Sequence, residues 1–276
     1  MPNIAKPDIA SALSEMDRAF EEAEKDEELS PEDEYFLGRA VAAEILKTYP
    51  LYDGDSAMVS YLNNICQAIV INSPQPEIFN GYHVGILNTR EVNAFATPGG
   101  HIFVTRGLLE CAPSEDALAA VIAHEIAHIQ IHHAAAIIKD QRLVTGLSQT
   151  ASRAASIASR NADPQQRAAL FSRSVAAMVT TLFKNGFSRE QEFEADAEAV
   201  VLLRSAGYDP SAMLAILEVL EKIQPSKPEG LNSTHPSPAA RKANLKNVAS
   251  TGSSNARVRN ARFASFQGRL KAMRVR

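Results

Sequence analysis

Residues 114–139 constrain this chain more than any other stretch. Ser114 reads as an N-cap, with Glu115 and Asp116 in the first turn, and opens a helix expected to run to about Lys139. Ala117–Ala123 is apolar and helix-prone, and His124-Glu125-Ile126-Ala127-His128 follows without a break. On a helix, positions i and i+4 share one face, about 6 Å apart along the axis. Two imidazoles so placed can both reach one Zn²⁺ at roughly 2.0–2.1 Å. Glu125 points to the side of that pair, where a carboxylate can hold and deprotonate a water at the metal. The same five-residue pattern also arises by chance on apolar helices, so a third ligand has to be found elsewhere.

His132 is again i+4 from His128, but no Glu follows His128, so a shifted pair lacks its base. On one continuous helix His124 and His132 start about 12 Å apart, too far to share an ion. His132 and His133 are therefore assigned to the surface or to places behind the ligands. The metzincin pattern requires Gly at 131 and His at 134, and Ile131 and Ala134 exclude it. A carboxylate from a later helix is the other common solution. Residues 188–206, closed by Gly207, carry Glu190, Glu192, Glu194, Asp196 and Glu198. Advancing about 100° per residue puts Glu192 and Asp196 on one face with Ala195, Ala199, Val200 and Leu203. Glu190, Glu194 and Glu198 fall opposite, with Arg204, and suit a solvated face. Two carboxylates on an apolar face are costly unless paired, and a metal with its histidine relieves both. Glu192 is thus the expected third ligand, and Asp196 the acceptor that orients a ligand imidazole.

Elsewhere the pattern is mostly helical. Helices are expected at 8–29, from Pro31 to about Lys47 (Phe36, Leu37, Val41, Ile45), at 56–71, at 210–223 and from about Pro238. The one convincing sheet region has strands at Tyr82–Leu87, Val92–Ala96 and His101–Thr105, with a turn at Pro98-Gly99-Gly100. Three parts follow: an acidic N-terminal helix at 1–29, a main domain at 30–249, and a linker with a basic helix at 250–276. Residues 143–187, rich in Ala, Ser and Thr, read as two small-residue helices that could cover the cleft as a lid.

Charge selects no partner class, with 28 Lys and Arg against 32 Asp and Glu. The tail from Arg257 to Arg276 is basic and carries an apolar stripe, Phe263, Phe266, Leu270 and Met273. Docking on the parent domain is the expected use of that stripe, with membrane-surface contact the other use weighed; no nucleic acid is expected. Cys66 and Cys111 sit in no short pair and beside no His, which excludes a Cys-type zinc site; two buried thiols are expected over a disulfide. No apolar run reaches the roughly 20 residues of a membrane span. The start of the chain as given does not read as a signal peptide.

Taken together, His124–His133, Ser188–Asp196 and Asn93-Ala94-Phe95-Ala96-Thr97-Pro98-Gly99-Gly100 resemble the M48 family of zinc peptidases. That likeness runs roughly from Ser30 to Leu245 and lies nearest the soluble envelope members. It implies an α+β, predominantly helical gluzincin (zincin-like) domain with a small β-sheet. It implies one Zn²⁺ on His124, His128 and Glu192, with Glu125 as base. Asn93, Ala94, Phe95 and Ala96 correspond to the family's substrate-pairing edge strand. The later His-Pro motif and its Arg correspond to His235-Pro236 and Arg241, with His235 reaching the metal or the oxyanion and Arg241 steadying the oxyanion. His132 stands where the family usually has Arg, and Glu198-Ala199 where a Gly often follows. The resemblance further implies proteolysis of unfolded or extended protein substrates in the periplasm or cell envelope. A metal-stabilised, chaperone-like binding module with little proteolysis is the alternative.

Overall fold

The computed structural model describes residues 30–137, 186–223, 235, 237–245, 248, 250–252 and 255–273. The acidic helix expected at 8–29, most of the candidate lid at 143–187 and most of the Pro-rich loop lie outside these residues.

Helix α1 (Pro31–Thr48) and helix α2 (Ser56–Val70) precede the sheet. Strands β1 (His83–Leu87), β2 (Ala94–Ala96) and β3 (His101–Thr105) form it, in the order β1-β3-β2. The pair β1–β3 is parallel and β2–β3 antiparallel, which leaves β2 at an edge. Side chains alternate between the faces as a two-residue period requires. Ile102, Val104, Val84, Ile86 and Ala94 join the main core, whereas Phe103, Phe95 and Leu87 meet Val41, Ala42 and Ile45 of α1.

A short helix α3 (Arg106–Cys111) and then α4 (Glu115–Gln130) follow. Ser114 caps α4 by accepting from Ala117 N–H. Nearly all of α4 is buried, from Ala117 to Ile129, so its histidines sit inside the protein. Its most extensive packing partner is α5 (Arg189–Ser205), which opens with a full capping box at Ser188 and Gln191. Alanines fill the buried faces of both helices, at 119, 120, 123, 127, 195 and 199. Small residues there let the two backbones lie close enough for the carboxylates of α5 to reach the histidines of α4. Helix α6 (Ala212–Ile223) packs its Met213, Ile216, Leu217 and Leu220 face inward, and α7 (Pro238–Asn244) leans on α6 and α5.

The basic segment is helix α8 (Ala256–Met273), and its apolar stripe docks on the domain. Phe266 and Leu270 are buried, and Phe266 stacks on Tyr61 at 4.6 Å. Burying such side chains contributes roughly 1.5–3 kcal/mol each. Its arginines meet acids at the start of α4: Arg259 bonds Asp116 at 3.0 Å and lies 3.9 Å over the Tyr208 ring, and Arg262 Nε bonds Glu115 at 3.1 Å.

Several expected boundaries move. Helix α4 ends at Gln130, not near Lys139, because His132 takes a left-handed conformation at φ 58° and bonds Glu34 of α1 at 2.7 Å. The axial spacing used above to separate His132 from the pair therefore does not apply. Strands start later than expected, at His83 and Ala94, and α3 was not anticipated. Cys66 and Cys111 are not joined in a disulfide; Cys66 is buried and Cys111 half-buried. Among the described residues, no helix is long and apolar enough to cross a membrane.

Candidate active site

Helix α4 presents His124 and His128 from successive turns, with their Nε2 atoms 3.1 Å apart. Glu192 reaches them from the first turn of α5. Its Oε1 lies 3.5 Å from His128 Nε2 and its Oε2 3.5 Å from His124 Nε2. His235, just before the cap of α7, donates from Nδ1 to Glu192 Oε1 at 2.6 Å. One ligand atom from each of these four residues lies within 4.8 Å of every other.

A metal fits this set better than a hydrogen-bond network does. Glu192 Oε2 is buried without a hydrogen-bond partner, and the two Nε2 atoms can share at most one proton. A cation among them would satisfy all three groups at once.

A second layer fixes the first. Asp196 Oδ1 accepts from His124 Nδ1 at 3.1 Å. Arg241, from α7, clamps Asp196 with two bonds, Nε to Oδ2 at 2.8 Å and Nη2 to Oδ1 at 2.5 Å. Its Nη2 also lies 3.2 Å from His124 Nδ1. On the other ligand, His128 Nδ1 is 2.9 Å from His133 Nδ1, and Phe187 stacks on the His128 ring at 4.0 Å. His133, expected at the surface or behind the ligands, stands behind His128; Phe187 was not singled out from the sequence.

Electrostatics follow the burial. Burial raises the Glu125 carboxyl above its ordinary value. Burial likewise drives His128 down to about 3. For His124, burial and Arg241 oppose the proton, but the nearby Asp196 and Glu192 carboxylates prevail and hold it at about 9. Burial also works against the Glu192 carboxylate, yet His235, His124 and His128 keep it well below the usual range.

Two recesses flank the cluster. Ala94, Val121, Glu125, Met213, Leu217 and His235 border one; Ala96, Pro98, His128, His132 and Phe187 border the other. Strand β2 spans both. Its bonds to β3 run through Asn93 and Thr97, so alternation turns the N–H and C=O of Ala94 and Ala96 to the free edge. Asn93 Oδ1 takes the Ala94 N–H at 2.9 Å.

The model of Peptidase family M48 matches residues 60–249. The chain belongs to peptidase family M48. The beta-barrel assembly-enhancing protease of Escherichia coli (strain K12) is 30% identical over 223 residues, which cover 80% of this chain and 45% of that protein. The mitochondrial metalloendopeptidase OMA1 of Schizosaccharomyces pombe is 30% identical over 179 residues, 64% of this chain and 49% of its own. Metalloprotease LoiP of Escherichia coli (strain K12) is 27% identical over 157 residues, 57% of this chain and 58% of its own. This M48 chain thus spans about half the length of the curated relatives it matches. Membership of the family agrees with the zincin-like, mostly helical architecture described above.

Proposed function

We propose that this M48 chain is a zinc-dependent metalloendopeptidase that cuts unfolded or misassembled proteins in the cell envelope. One observation carries the reading: two imidazoles and the Glu192 carboxylate, whose Oε2 has no hydrogen-bond partner, converge in a buried cluster beside Glu125. Two nitrogens and one oxygen are a donor set that suits zinc. Zinc held by His124, His128 and Glu192 supplies Lewis acidity at the scissile carbonyl and lowers the pKa of water.

The remaining steps belong to the protein. Glu125 takes a proton from the attacking water and passes it to the leaving amine, and its raised pKa brings it toward that double task. Asp196 fixes the ring of His124, and Arg241 holds Asp196 in place and neutralises it. Arg241 acts on the site through that carboxylate and through its own charge, with Nη1 3.8 Å from Glu192 Oε2. An extended substrate pairs with the free edge at Ala94–Ala96, with Asn93 closing the edge and Phe95 anchoring the strand from the far face. The recesses on either side of the cluster then receive its side chains. The name of the first relative, an assembly-enhancing protease, supports quality control as the setting.

His235 gives the cluster a fourth protein donor, which is the coordination of a closed site. Its withdrawal from Glu192 opens a position for substrate, so the enzyme rests in a latent form. The same contact favours the second reading, a metal-stabilised module that binds extended chains and rarely cuts.

Metal titration tests the proposal. The chelator-stripped chain is expected to take up one zinc and, with it, to gain cleavage of β-casein. One zinc bound with no cleavage, even after His235→Ala, supports the binding module instead.

A further inference from the structure

Resting on that zinc reading, we propose that His133 is a positioning residue for the metal centre: its Nδ1 accepts the Nδ1 proton of His128, and Glu194 sets His133 in the tautomer able to do so. The argument begins at His128. Its Nε2 faces His124 Nε2 at 3.1 Å and Glu192 Oε1 at 3.5 Å, so Nε2 is the atom that would bind metal. A neutral imidazole binding metal through Nε2 carries its one proton on Nδ1. That Nδ1 lies 2.9 Å from Nδ1 of His133, a residue only 3% exposed. Only an unprotonated His133 Nδ1 makes this a hydrogen bond; otherwise two N–H groups collide. His133 must then carry its proton on Nε2, and Glu194 Oε2 stands 3.4 Å from that atom to receive it.

The backbone break is what makes the contact. On a continued helix, residue 133 would stand about 7.5 Å further along the axis from residue 128 and about 140° around it. The left-handed His132, tied to Glu34, breaks that progression, and His133 stands beside the ring of His128. Phe187 stacks on His128 and lies 5.9 Å from the His133 ring. The two ligand histidines are thus held by unlike partners. His124 leans on an anion that Arg241 neutralises, and His128 on a neutral ring whose tautomer is read from the surface, where the Glu194 side chain is 61% exposed. Partners of this kind fix ligand rings and typically change metal affinity 10–100-fold when removed.

Long-range ¹⁵N–¹H spectra of the zinc-loaded, ¹⁵N-histidine-labelled chain test this directly. The expected result is a His133 protonated at Nε2 and bare at Nδ1, beside a His128 protonated at Nδ1. A His133 protonated at Nδ1, or at both nitrogens, overturns the proposal. In a chelator competition, His133→Leu is expected to lose zinc affinity about 10–100-fold. His133→Asn, whose amide oxygen can stand where Nδ1 does, is expected to recover most of it. Wild-type affinity in the Leu variant, or an Asn variant as weak as Leu, also overturns it. A wild-type chain that takes up no zinc overturns the zinc reading and this inference together; one that takes up zinc but shows the wrong tautomer overturns this inference alone.

Discussion

Gly38 of α1 lies so close to Pro98 that a Cβ added to it would stand 1.7 Å from the Pro98 carbonyl oxygen. The contact is mutual, since a Cβ on Gly99 (φ 70°) would stand 2.3 Å from Tyr35 Cα. Helix α1 is thereby pressed backbone to backbone against the turn that ends the edge strand β2. Gly38→Ala must push the two apart. Overpacking of this kind typically costs about 1–3 kcal/mol, and urea denaturation of the metal-free chain should read a loss at the upper end of that range. KM for an extended peptide should rise as well, because the edge at Ala96 shifts with the turn.

Arg241 and Asp196 form a buried, two-bonded pair behind His124. Removing the cation leaves a buried carboxylate without its partner, a change that costs about 3–5 kcal/mol. Arg241→Ala should therefore lose stability by about that amount in the metal-free form and bind zinc more weakly. Arg241→Lys, unable to supply the forked pair of bonds, should fall between. Thermal melts of the stripped chains check both.

His235 is the donor of the cluster that a closed site adds. His235→Ala should retain one zinc per chain, and its turnover of a short unstructured peptide should rise several-fold. Metal analysis beside a fluorogenic peptide assay reads the two effects separately. A fall in turnover with zinc retained would give His235 the oxyanion instead.

Cys66 is fully buried, and burial pushes its thiol up to about 12. Only the thiolate attacks alkylating reagents, so at pH 8 about one Cys66 in ten thousand is reactive even if reached. Iodoacetamide at pH 8 should leave Cys66 unmodified in the native chain and label it after unfolding, as peptide mass spectrometry will show.

Local periodicity made the inner site legible. His124 with His128, and Glu192 with Asp196, are each related by one helical turn, and the apolar company of each pair was visible in the same window. The structure brings all four together. Outside that window the family likeness supplied His235 and Arg241, while the contact behind His128 was hidden for a physical reason. Helix α4 stops at Gln130 without a Gly or Pro to signal it; the stop depends on His132 meeting Glu34, 98 residues earlier. His133, left between the surface and a place behind the ligands, owes its contact with His128 to that turn, and Phe187 owes its place to tertiary packing that its own neighbourhood does not announce. At the start of β1, the Tyr82 hydroxyl bonds the Gln75 carbonyl and its own carbonyl takes the Gln67 side chain, contacts that composition alone does not reveal.

The most direct test of the peptidase account replaces Glu125 by Gln and follows cleavage of β-casein by zinc-loaded chains. Loss of a general base typically slows a reaction about 10²–10⁴-fold. The account predicts that Glu125→Gln binds one zinc as the intact chain does and loses activity by that factor. Equal cleavage by the two zinc-loaded chains would contradict it.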